Sequence, residues 1–220
     1  SVLANRRFGE SPSLSKLVSQ QKLPPVSERL PENPLVVVPM EEIGQYGGTL
    51  RRALTGDIVQ TAGVSKTMKE GLLGFTRPIA TGIEPNIAES YVFKDGGRSA
   101  IFKIRKGIRW SDGVPFTVDD ILFWRNEILL NKEITPVLIR EFKRGGEPVE
   151  IEKVSETVFR FRFKEPHGLF LKALASGRGY ECTKEPAHYL KKFLPKFVGQ
   201  AYIDSLAEEA GFDHWSPYFK

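Results

Sequence analysis

Three aspartates, Asp112, Asp119 and Asp120, lie in the stretch KIRKGIRWSDGVPFTVDD, Lys103 to Asp120, together with the cations Lys103, Arg105, Lys106 and Arg109 and the ring of Trp110. Clustered carboxylates can divide the roles of general acid and general base in a hydrolase. Basic residues interleaved with aromatics can track and stack on a nucleic acid. The spacing argues for a plainer reading of both. Asp119 and Asp120 are neighbours on a helix start and point in different directions, so they do not share a substrate. The aromatics of the preceding strand alternate onto the face opposite its cations, whereas a stacking platform needs both on one surface. On this reading Asp112 belongs to a Ser-Asp-Gly turn, Thr117 and Asp120 form a capping box, and the basic residues are a solvated strand edge.

The remaining residues that could do chemistry are scattered. His167, His188 and His214 have no ligand partner three or four positions away, so no metal site is expected. Cys182 is the chain's single cysteine and has no histidine beside it, which makes it a small packed residue rather than a nucleophile. Gly44, Gly47 and Gly48 lack the Lys-Ser/Thr pair and the following helix of a phosphate loop and are read as a turn feeding a strand, Thr49 to Leu54. Nothing asks for a cofactor.

Positioning these residues requires a sheet and helices, and the hydrophobic periodicity supplies both. Ala100 to Arg105 alternates as a half-buried strand, joined to SYVF by a Lys94–Gly97 turn, and Phe159, Phe161 and Phe163 alternate with Arg160 and Arg162 in a second hairpin. Helices are expected with Leu14, Leu17 and Val18 as an apolar face, through Glu70, Leu72 and Leu73, along DDILFWRNEILL, over Gly168 to Ala175, and over Glu185 to Phe193. Lys22 to Pro39, with five prolines, reads as an extended surface segment. With 40% hydrophobic residues and fifteen phenylalanines the chain can fill a core. Its net charge of +5 is the small difference between 32 basic and 27 acidic residues, so a nucleic-acid partner is not demanded. No run is long and apolar enough for a membrane span, and the N-terminus carries no signal-peptide stretch, so either the protein is cytosolic or a leader has been removed.

Taken whole, EPNIAESYVFKDGGRSAIFKIRKGIRWSDGVPFTVDDILFWRNEI, Glu84 to Ile128, resembles the signature region of the family 5 extracytoplasmic solute-binding proteins of ABC transporters, the dipeptide, oligopeptide and nickel-binding group. The flanks ERLPENPLVVVPMEEIGQYGGTLRRAL, EGLLGF and EPAHYLKKFLPKF are similar to its other conserved parts. Ala100 and Ile101 depart from it, standing where an aromatic or hydroxyl residue is common. The resemblance implies an α/β chain that is an N-terminal fragment of a two-lobed, type II periplasmic fold with a mixed sheet. It would comprise an arm at 1–44, the first part of lobe 1 at 45–75, an inserted hairpin-rich subdomain at 76–180 and a return towards lobe 1 at 181–220, with the C-terminal lobe absent. It also implies a periplasmic or extracellular, monomeric, non-enzymatic protein that takes an oligopeptide or oligosaccharide and hands it to a membrane permease. The matching cleft positions are Gly56, Asp57, Ile58 and Val59, where Asp57 would hold a ligand amine or simply cap a turn. A basic nucleic-acid-binding module and, behind it, a carboxylate hydrolase are the alternatives.

Overall fold

The computed structural model describes residues 8–51, 53, 69–76, 81–176 and 178–220. Its centre is a four-stranded antiparallel sheet in the order β3-β4-β8-β7, where β3 is Ala88–Lys94, β4 Ser99–Ile104, β7 Glu150–Lys153 and β8 Val158–Arg162. β4 and β8 pair in a register that sets Phe102 opposite Phe159 and Ala100 opposite Phe161, so the even-numbered residues of β4 and the odd-numbered ones of β8 share a face. All four are fully buried, as is Ile104. The other face carries Lys103, Arg160 and Arg162 beside Ile101, with Arg160 paired to Glu152 of β7 at 3.2 Å. Period-two alternation made the strands β4 and β8 readable in advance, while their pairing into one sheet was not.

The helix α3, Val118–Phe123, continues as a π-helical turn, Trp124–Leu129, and lays Ile121, Trp124 and Ile128 into the same core. Phe142 bridges helix and sheet, meeting Trp124 edge-on at 4.7 Å and Phe170 at 6.0 Å, while Phe161 meets Phe170 at 5.1 Å. Each fully buried phenylalanine contributes roughly 1.5–3 kcal/mol of burial free energy. The turn joining β3 to β4 has positive φ at Asp95, Gly96 and Gly97 in succession, which is why the sequence places two glycines after an aspartate there.

Two small hairpins flank the sheet: β1, Leu73–Phe75, pairs with β2, Ile83–Pro85, and β5, Lys143–Arg144, with β6, Glu147–Pro148. Every ladder among the described residues is antiparallel; a mixed one is not among them. The β1 hairpin corrects the helix expected through Glu70 and Leu73. Gly71 and Gly74 interrupt that run, and the Leu72 carbonyl accepts the amides of Asn86 and Ala88, so pairing with the segment ahead of β3 satisfies the backbone instead.

Around the core lie α1, Pro12–Ser19, capped by Ser11; α2, Val26–Arg29; α4, Phe170–Ala175; and α5, Ala187–Leu190, which runs into a 3₁₀ turn at Lys191–Phe193. α6, Pro195–Val198, α7, Gln200–Glu209, and α8, Trp215–Phe219, follow. α2 is a single helical turn inside the proline-rich segment, tolerated because Pro25 sits at its N-cap, where no helical amide is required. Thr49, Leu50, Arg51 and Ala53 form no strand, Leu50 is exposed, and the other positions of that expected strand lie outside the described residues. No helix among the described residues is long and apolar enough to cross a membrane.

Candidate functional site

The carboxylates that suggested a hydrolase each have a local occupation. Asp112 accepts the Val114 amide at 3.1 Å and pairs with His188 Nε2 at 2.6 Å. His188 and that amide together hold its carboxyl below the ordinary aspartate range. Asp119 accepts from Lys153 at 2.8 Å. Asp120 is buried: one oxygen accepts the Thr117 amide at 2.9 Å, closing the capping box, and the other accepts the Ala187 amide at 3.0 Å. The start of α3 is thereby tied to the start of α5.

The cations of the same stretch are similarly engaged, and one corrects the sequence reading. Lys103 pairs with Glu89 and Lys106 with Glu32, both at 2.8 Å, and Arg109 donates to the Gly113 carbonyl. Arg105 is not a solvated edge residue but is buried, donating to the Asn86 carbonyl at 2.7 Å and the Asn33 carbonyl at 2.8 Å. It lies past the last ladder residue of β4, where the alternation stops applying, and the proline-rich arm covers it. Asn33 in turn donates to Glu89, whose carboxyl is held low first by Lys103 and then by Asn33.

A denser cluster forms where residues 69–72 meet residues 178–185. A Cβ on Gly71 would stand 3.2 Å from the Gly179 backbone, so the two segments pass each other in close contact there. The Thr183 hydroxyl donates to the Glu70 carbonyl at 2.6 Å, and Asn86 donates to the Glu70 carboxylate at 2.7 Å. Glu181, buried, takes Lys184 at 3.0 Å and Arg178 at 3.6 Å. Burial works to discharge the Lys184 ammonium, and Glu181 and Glu185 overcome it, leaving its pKa raised. Burial raises the pKa of Glu185 despite Lys184 beside it. Lys69 and Lys184 bracket the Tyr180 ring at 4.9 and 5.8 Å.

The cluster's charges are largely engaged with one another. Cys182, in its midst, is buried, and burial pushes its thiol pKa up, which disfavours the thiolate. His167 is buried against the Glu141 carbonyl at 3.1 Å, with burial lowering its pKa, and His214 accepts the Ser216 amide to cap α8. Among the described residues no three His, Cys, Asp or Glu side chains gather as metal ligands. Gly56, Asp57, Ile58 and Val59, the expected cleft positions, lie outside the described residues. The crossing at Lys69 and Glu181–Glu185 was not anticipated, although the alternation KE at Lys184–Glu185 beside Glu181 is its one visible trace in the sequence.

Residues 82–199 match the family model for bacterial extracellular solute-binding proteins, family 5 middle. Over 97% of its length the chain superposes on 32% of the oligopeptide-binding protein OppA with a TM-score of 0.85 and 40% identity. It is 31% identical to the periplasmic alpha-galactoside-binding protein of Rhizobium meliloti (strain 1021) over 85% of this chain and 29% of that one. The periplasmic binding protein MelB of Agrobacterium fabrum C58, solved in complex with stachyose, matches at 26% identity with a TM-score of 0.69, covering 90% of this chain and 33% of the other. The chain therefore spans about a third of the length of these relatives. With a family model matched over more than half of its residues and a sheet-and-helix core shared with OppA, the chain belongs to the bacterial extracellular solute-binding proteins of family 5.

Proposed function

We propose that the chain is part of the extracytoplasmic, solute-capturing component of an ABC importer, which takes an oligomeric solute into a cleft between two lobes and delivers it to a membrane permease by lobe closure. The observation that carries this is the 40% identity to an oligopeptide-binding protein across 97% of the chain. It favours an oligopeptide, which would add as an extended strand along Gly56–Val59, with Asp57 facing its amine. An oligosaccharide is the second reading, favoured by the alpha-galactoside-binding relative and the stachyose-bound neighbour. In this proposal residues 76–180 are the inserted subdomain of lobe 1, the protein acts as a monomer at the periplasmic or extracellular face, and it performs no catalysis. Engagement of Asp112, Asp119 and Asp120 in turn, ion pair and cap speaks against the hydrolase alternative, and pairing of the strand cations speaks against the nucleic-acid one.

Native mass spectrometry of the full-length parent protein, gently purified from its own host, tests the reading. A discrete added mass released on unfolding, and identified as a peptide, is the expected result. A bound saccharide would transfer the proposal to the second reading. Heterogeneous nucleic acid, or conversion of an offered peptide to products, would overturn both.

A further inference from the structure

From Pro186 to Ile203 the chain has no acidic residue, while the same stretch holds Lys191, Lys192 and Lys196. It folds as α5, the following 3₁₀ turn, α6 and the start of α7, with Ala187, Leu194 and Ile203 buried in the core and the three lysines exposed. Tyr189, Phe197 and Tyr202 stand 49%, 42% and 55% exposed along it. The ammonium groups of Lys191 and Lys196 sit 5.5 and 5.6 Å from the Phe197 ring centre, and that of Lys192 sits 5.5 Å from Tyr189. Lys196 also pairs with Glu127, whereas Lys191 and Lys192 have no carboxylate partner among the described residues. The acid next in sequence, Asp204, is taken up by the Gln200 amide at 2.8 Å.

Half-exposed rings interleaved with lysines are the surface an anionic bilayer accepts, the ammonium groups meeting phosphates and the rings lying at headgroup depth. We propose that this face, Tyr189 to Tyr202, rests reversibly on an anionic lipid surface. Two lysines free of carboxylates, without a hydrocarbon anchor, give weak binding, so the contact concentrates the protein at the membrane without fixing it there. If the transport reading above holds, that contact keeps the carrier close to its permease; the contact itself requires no solute.

Co-sedimentation of the full-length parent protein with vesicles of phosphatidylglycerol and phosphatidylcholine, against vesicles of phosphatidylcholine alone, is the test. Binding to the anionic vesicles that falls with added salt is expected, with little binding to the neutral ones. Lys191→Ala with Lys192→Ala should lower the partition coefficient by about fivefold per lysine, and Tyr202→Ser should lower it further at constant charge. Lys16→Ala with Lys94→Ala removes the same charge elsewhere and should change it little, with circular dichroism confirming the fold of each variant. Absence of binding at low salt, or equal losses from the two lysine pairs, would overturn the proposal. Neither result bears on solute capture, which the mass measurement on the parent protein decides separately.

Discussion

Arg105 shows how a single side chain joins parts that are distant in sequence. Its guanidinium is the link between the arm, through the Asn33 carbonyl, and the segment ahead of β3, through the Asn86 carbonyl. Arg105→Met should cost about 1–3 kcal/mol for each carbonyl left buried without a donor, read as a lower urea midpoint. Glu185 supplies the opposite case. Burial raises its folded-state pKa above that of the unfolded chain, so the native state binds its proton more tightly. Its contribution is therefore favourable at low pH and is lost as pH rises from the unfolded pKa through the folded one. Glu185→Gln, which removes the charge and keeps the shape, should accordingly raise stability at pH 7 relative to the parent, with the difference vanishing below about pH 4. Denaturation midpoints of the two proteins measured from pH 4 to 8 check the sign, and a variant less stable at pH 7 would show that the Lys184 pair outweighs burial.

At the scale of the element, α3 begins where it does because Thr117 and Asp120 satisfy amides that a helix start leaves open. Asp120 does more than cap, since its second oxygen holds the Ala187 amide of α5. Asp120→Ala should therefore cost more than Thr117→Ala, about 2–3 kcal/mol against about 1 kcal/mol, in equilibrium urea unfolding. Asp112→Asn separates the structural reading from the catalytic one. It should weaken the His188 contact and lower stability at neutral pH, the loss disappearing as pH falls through the depressed carboxyl pKa of the parent, with no change in solute affinity of the full-length protein. A variant of unaltered stability that loses turnover of some offered substrate would restore the hydrolase reading. The capping box, the Asp95–Gly97 turn and the alternation in β4 and β8 were all legible beforehand, because each is written within a few consecutive residues. β1 was misread because a short apolar run between glycines is the same string whether it coils or pairs, and only the neighbouring segment decides.

Across the whole molecule the contrast is between a closed aromatic core and an uncovered arm. Phe102, Phe142, Phe159, Phe161 and Phe170 are fully shielded, while Val38, Met40 and Ile43 of the arm, and Leu50 just after it, are more than 70% exposed. An exposed backbone without ladder partners is the first place a protease finds. Limited proteolysis of this chain should cut between Pro34 and Arg51 well before any site from Ala88 to Arg162, as intact-mass analysis of early fragments would show.

Local order, then, was open to reading from the residues alone: which strands alternate, where helices are capped, which turns need glycine, and, through the length and order of the Glu84–Ile128 pattern, the family. These depend on neighbours in sequence and on a side-chain period of two or 3.6 residues. The burial of Arg105, the pairing of Asp112 with His188, the hold of Asp120 on Ala187 and the crossing of Glu70 by Thr183 were decided by folding. Their partners stand 72, 76, 67 and 113 positions apart. No periodicity reaches so far, because such contacts follow from which surfaces the core brings together and not from any property of the residues beside them.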